Sequence, residues 1–127
     1  IIDSYKVLIG RLVPSNGELD VNPKDGYKVI TDTRIIGPGQ INTETYLDIG
    51  VFDTEQEAIN FDRYLKCKLP RFLLRQAISS LNVTRECFRF VPYLDFKEEW
   101  TDNKLYKKYN LTDDEITFVE RTIRTMD

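Results

Sequence analysis

The sequence predicts an α+β fold: a small, mainly antiparallel sheet packed on a kinked long helix, with a helical pair at the C-terminal end. Three observations carry this. Two-residue alternation of side-chain character falls mainly within the first 52 residues. An apolar stripe at three- and four-residue steps starts at Ala58 and runs through Pro70. Thr54 with Glu57, and Thr112 with Glu115, have the spacing of helix-opening capping boxes. At 127 residues and 41% hydrophobic, the chain has the size and apolar content of a single globular domain. The start, without an initiator Met, reads as a piece cut from a larger protein.

In chain order, Tyr5–Leu12 reads as a strand, with Tyr5, Val7 and Ile9 alternating against Lys6, Leu8 and Gly10. Val13–Gly26 holds Pro14, Asn16-Gly17, Pro23 and Asp25-Gly26, residues that favour turns, and is expected to be a long exposed loop. Tyr27–Ile36 reads as a second strand. Gly37-Pro38-Gly39-Gln40 turns the chain into a third, Thr43–Phe52. Its β-branched and aromatic content, like that of the other two, suits a pleated surface.

The helical stripe comprises Ala58, Phe61, Leu65, Leu69, Phe72 and Leu73. Proline inside a helix removes a hydrogen bond and crowds the preceding turn, so a kink or two abutting helices is expected near Lys68–Pro70. The second part is expected to end by Ser79-Ser80. Thr84 is placed to cap a short turn, and Phe88, Phe90, Val91 and Pro92 read as an extended return to the core. A helix is expected from Trp100-Thr101-Asp102, with Leu105, Tyr106 and Tyr109 apolar. The last helix opens at Thr112 and lines up Ile116, Val119 and Ile123. The two N-x-T sequences, at Asn82 and Asn110, are accounted for by these caps rather than by glycosylation.

Charge is distributed unevenly. Residues 63–89 hold seven bases against one acid, residues 1–62 five against eleven, and residues 90–127 six against nine. A basic middle in a mildly acidic chain points to a polyanionic partner. On a continuous helix Lys68, Arg71 and Arg75 share a face. Arginine's planar fork matches phosphate. Arg85 lies beside a possible helix N-terminus, Arg89 follows two residues after Cys87, and Lys28 and Arg34 share one face of the second strand. These seven are the candidate DNA-binding residues. The competing reading is a basic face that pairs with the acidic flanks.

Chemistry is harder to find. No histidine is present, which removes the commonest general base near neutral pH. Cys67 and Cys87 cannot make a four-ligand zinc site and read as reduced core residues. The sequence holds no P-loop, G-x-G-x-x-G or G-x-S-x-G motif. Asp48, Asp53, Glu55, Glu57 and Asp62 fit caps and solvated faces better than a carboxylate centre. Asp25 with Lys28, and Asp95 with Lys97, each place an acid near a lysine, the elements of a metal-dependent nuclease. No apolar run is long enough to span a bilayer, and no signal peptide is evident, so a cytoplasmic protein is expected.

Several runs resemble a known family. They are Thr45-Tyr46-Leu47, Phe52 to Ala58, Tyr64 to Lys68, Arg71 to Leu74, Asn82 to Arg85, Phe88 to Pro92, Asp95-Phe96, Trp100 to Asp102, Leu105 to Tyr109 and Leu111-Thr112. Residues 43–127 look like the C-terminal target-recognition region of type II restriction-modification methyltransferases that modify adenine at N6. The first 42 residues match poorly. The resemblance implies recognition of double-stranded DNA, with a methyltransferase domain of the same parent chain as partner. It also implies S-adenosylmethionine as the parent's cofactor. The [DNS]PP[YF] motif that holds the flipped base in this family is missing: Val91-Pro92-Tyr93-Leu94 has one proline and Asn22-Pro23-Lys24 lacks both the second proline and the aromatic. The glycine-rich cofactor motif is missing too. The chain itself is therefore expected neither to bind the cofactor nor to methylate. The 13–26 loop is a candidate groove-reading element. Two alternatives remain open: an endonuclease or specificity-subunit piece of a restriction system, and a protein-interaction module.

Overall fold

A computed structural model describes residues 4–10, 29–30, 32–40, 46–77, 88–89 and 91–126. The architecture is α+β, as expected. Among the described residues, three strands, β1 (Tyr5–Gly10), β2 (Thr33–Ile36) and β3 (Tyr46–Phe52), form one antiparallel sheet in the order β2-β1-β3. Four helices follow among those residues: α1 (Glu55–Lys66), α2 (Lys68–Ala77), α3 (Asp102–Lys108) and α4 (Asp113–Thr122).

β1 is the central strand, and its Val7, Leu8 and Ile9 are all buried. The second strand is shorter than the alternation predicts. Its described span is Thr33–Ile36, and Val29, inside the expected strand, sits at φ 75, a left-handed conformation that a β-branched residue rarely takes and a ladder cannot continue through. Val29 and Ile30 are nonetheless buried, so their apolar character serves the core rather than a strand. β3 carries a bulge. Val7 faces Gly50 while Leu8 faces Asp48, leaving Ile49 as the extra residue.

α1 packs on all three strands. Its start follows the sequence signal: the Thr54 hydroxyl accepts from the Glu57 backbone N–H at 3.2 Å and donates to the Glu57 carboxylate at 2.9 Å. Ala58, Phe61, Tyr64 and Leu65 are buried against the sheet. Phe52, Phe61, Tyr64 and Phe96 form an aromatic cluster, with ring centroids 4.8 Å apart for Phe61 and Phe96 and 5.2 Å for Phe52 and Phe61. Two polar contacts pin the 92–96 segment over it. Buried Asn60 donates to the Phe96 carbonyl at 2.9 Å, and the Tyr64 hydroxyl to the Pro92 carbonyl at 2.6 Å.

The expected break in the long helix occurs at Cys67, which is extended at ψ 157. Pro70 therefore falls in the first turn of α2, where a missing N–H costs little. The break also resets the helical phase. The face buried in α2 comprises Leu69, Pro70, Arg71 and Leu74, while Phe72 and Leu73 are only half-buried. α2 ends its described span at Ala77, and the expected stop at Ser79-Ser80 lies outside the described residues. So do the Thr84 cap and the 13–26 loop.

α3 and α4 begin as expected. Thr101 caps α3 by accepting from Lys104 N–H at 3.3 Å. Thr112 and Glu115 make a reciprocal capping box on α4. Leu105, Tyr106, Val119 and Ile123 are buried and close the core over α2. Among the described residues, no helix is long and apolar enough to cross a membrane.

Candidate nucleic-acid interface

The junction between α1 and α2 is where sequence reasoning placed the basic face, and the structure redistributes it. Arg71 is only 1% exposed. Its Nε donates to the carbonyls of Lys66 at 3.1 Å and Cys67 at 3.2 Å, and Nη2 to Lys66 at 2.8 Å. It thus satisfies carbonyls that the end of α1 leaves without intrahelical partners. Burial lowers its pKa to about 10, with the nearby Asp102 carboxylate opposing that shift, and it stays cationic at neutral pH. Arg71 is a structural cation in this fold, which corrects its assignment as a phosphate ligand. The physical reason is the phase reset at Cys67, which turns position 71 inward.

Lys68 is engaged as well. Its ammonium lies 3.1 Å from the Glu120 carboxylate, with its side chain 18% exposed. Arg75 is half-buried. Lys68 and Arg71 therefore face groups of α3 and α4, and with Arg75 half-buried the three do not form a solvent-facing stripe. Arg89 is exposed, and so is Arg34, whose guanidinium stands 4.8 Å from the centroid of the Tyr46 ring. The Tyr46 hydroxyl donates to Asp32 at 2.7 Å. Lys28 and Arg85 lie outside the described residues.

Asp102 organises the junction from the other side. Its two carboxylate oxygens accept the N–H groups of Lys68 at 2.9 Å and Leu69 at 3.0 Å. It is an N-terminal cap for α2 supplied by the first residue of α3. The single Cys67 S–H has the carbonyls of Arg63 and Trp100 within reach as acceptors, and burial pushes its pKa up to about 12. A thiol in that state is a poor nucleophile.

A cavity of about 630 Å³ opens at this junction. Arg63, Lys66, Lys68 and Arg71 line it, and so do Asp62, Glu99, Asp102 and Glu120. The charges pair locally: Lys66 with Asp62 at 3.3 Å, Arg63 with Glu99 at 3.7 Å, and Lys68 with Glu120. Four cations and four carboxylates leave little net field to hold a polyanion. Among the described residues, no three Cys, Asp or Glu side chains gather as a metal site.

Glu120 also accepts from the Tyr106 hydroxyl at 2.6 Å. That hydrogen bond is the largest influence and, with the weaker help of Lys68, holds the Glu120 carboxyl below its ordinary value of 4.5 against the opposing effect of burial. A carboxylate shifted this way stabilises the fold above its unfolded pKa, and the contribution is lost as pH falls through the folded one. The Tm is therefore expected to drop as pH falls from about 4.5 downward. Glu120→Gln should flatten that acid limb and lower the Tm slightly at pH 7, as read by circular dichroism melts across pH 3–7. An unchanged acid limb would remove Glu120 from this role.

Exposed positive charge instead gathers on α3. Lys104, Lys107 and Lys108 all face solvent within one short helix. The Lys104 and Lys108 ammonium groups stand 6.0 and 5.7 Å from the Trp100 ring centroid, and Lys108 is 5.8 Å from that of Tyr109. Lys104 also pairs with Glu98 at 3.8 Å and donates to the Glu99 carbonyl at 2.7 Å. Lys107 takes part in none of these contacts. The sequence carries this signal as lysines at spacings of three and four beside two aromatics. It is hidden there by the acids at 95, 98, 99 and 102, which leave the segment without net positive charge.

Comparison with known proteins adds nothing: no family profile, curated sequence or solved structure matches this chain. The described residues offer a neutralised junction at Cys67 and a separate lysine-and-aromatic surface on α3.

Proposed function

We propose that this chain is a duplex-DNA recognition domain of a cytoplasmic restriction-modification system, serving an adenine-specific methyltransferase whose catalytic domain lies elsewhere in the parent protein. The observation that carries the DNA-binding part is the exposed Lys104, Lys107 and Lys108 group beside Trp100 and Tyr109. Ammonium groups on mobile stems neutralise phosphates, and their release of counterions drives association. The adjoining rings suit sugar or base edges. The link to adenine methylation rests on the resemblance of residues 43–127 alone, and S-adenosylmethionine belongs in this proposal to the parent. Arg89 and Arg34, both exposed, are further candidates for backbone contact, as are Arg75, Arg85 and Lys28.

Fluorescence anisotropy with a labelled 20-base-pair duplex at 50 and 200 mM salt tests the reading. Wild-type affinity should fall by at least tenfold across that range. Lys107→Glu with Lys108→Glu should weaken binding at 50 mM by more than tenfold and reduce the slope of log affinity against log salt by about 2. No binding at 50 mM, or binding that ignores these substitutions, would overturn it.

A further inference from the structure

Two carboxylates occupy two of the cations nearest the α3 lysine surface. Glu98 pairs with Lys104 at 3.8 Å, and Glu99 pairs with Arg63, near the end of α1, at 3.7 Å. The Lys104 ammonium also donates to the Glu99 backbone carbonyl at 2.7 Å. All four side chains are at least 50% exposed. Ion pairs as open as these add only about 0–1 kcal/mol to a fold. Their larger consequence is for what else Lys104 and Arg63 can meet.

The segment that carries the two acids is a fixed turn. Phe96 is buried, and its carbonyl accepts from Asn60 at 2.9 Å. The Asp95 side chain accepts the Lys97 N–H at 3.0 Å, and the Asp95 carbonyl accepts the Trp100 indole N–H at 3.0 Å. Glu98 and Glu99 lie between these anchors. Their backbone is ordered before any ligand arrives, so they compete with a phosphate without a further ordering cost. Lys107 and Lys108 face solvent on the same short helix. The positive charge is thus divided into two lysines open to a ligand and two cations already matched by carboxylates.

We propose that Glu98 and Glu99 are built-in competitors for phosphate: they hold Lys104 and Arg63 back from a bound polyanion and so suppress binding that rests on backbone charge alone. Fixed like charge beside a phosphate site penalises indiscriminate partners, which makes this pair a selectivity device. The inference rests on the reading of the α3 lysines as phosphate ligands and names what limits them.

The test compares wild type with Glu98→Gln/Glu99→Gln on two probes, a heparin column and the labelled 20-base-pair duplex. The variant should elute from heparin at higher salt and bind the duplex at 50 mM salt about fivefold more tightly or better. Two more cations would then neutralise phosphates, so the slope of log affinity against log salt should steepen by about 1–2. Adding Arg63→Gln and Lys104→Gln should cancel the gain. Asp53→Asn/Glu55→Gln removes the same charge at the other end of α1, about 12 Å along the helix from Arg63, and should give less than half the effect. An equal gain from that control, or a gain that survives the loss of Arg63 and Lys104, would overturn the inference and leave DNA binding standing. A heparin shift cancelled by those two substitutions, with no variant binding the duplex, would support the competitor role and overturn the DNA reading. No shift on either probe would overturn the inference.

Discussion

Arg71→Ala is expected to lower stability by roughly 3 kcal/mol, the cost of removing a buried, hydrogen-bonded cation. The guanidinium is almost fully buried and makes three hydrogen bonds to the carbonyls that end α1. Removing it takes the donor from those partly buried carbonyls and deprives Asp102 of a nearby positive charge. Arg71→Lys should recover only part of the loss, because an ammonium cannot reproduce the fork that reaches Lys66 and Cys67 together. Urea denaturation monitored by circular dichroism measures both variants. A loss below about 1 kcal/mol for Arg71→Ala would mean that the junction is held by something other than this cation. One practical consequence concerns DNA binding. A weakened Arg71 variant would report on folding, so the α3 lysines, which are exposed, are the cleaner test.

Gly50→Ala is expected to cost about 1–3 kcal/mol, a large effect for one methyl group. A Cβ at position 50 would lie 2.8 Å from ring carbons of both Phe52 and Phe61. Neither ring can retreat freely, since Phe61 also packs on Tyr64 and Phe96. The substitution should lower the Tm and the urea midpoint together while leaving the DNA affinity of the folded fraction unchanged. A Tm within a degree of wild type would show that the aromatic cluster relaxes around the bulge.

The elements that the sequence announces most clearly are those with local chemistry. Thr54, Thr101 and Thr112 each cap the helix they precede, and the alternation in Tyr5–Gly10 and Tyr46–Phe52 marks real strands. The proline at 70 correctly warns of a broken helix. Its exact consequence is not legible, because the break falls three residues earlier, at Cys67, and shifts the helical phase. That shift is why Arg71 reads as surface charge in the sequence and is core in the structure. Val29 misleads for a related reason: its apolar side chain fits a strand pattern, but its φ of 75 does not. The α3 lysines were hidden by neighbouring acids, whose side chains pair with Lys104 and Arg63 and leave Lys107 and Lys108 to solvent. A cleft at the β3 bulge depends on residues 37 to 45 positions apart, Asp48–Val51 with Phe88 and Tyr93, which no local pattern joins.

The Asp102 carboxylate gives the chain a timing constraint. The first two amides of α2 are satisfied by a residue 33 and 34 positions downstream. On a growing polypeptide, α1 can form on its own cap while the next helix has its leading amides exposed until α3 has been synthesised and docked. The two halves of the broken helix are adjacent in sequence yet differ in what completes them: α1 takes its cap from the residue before it, α2 from the C-terminal pair.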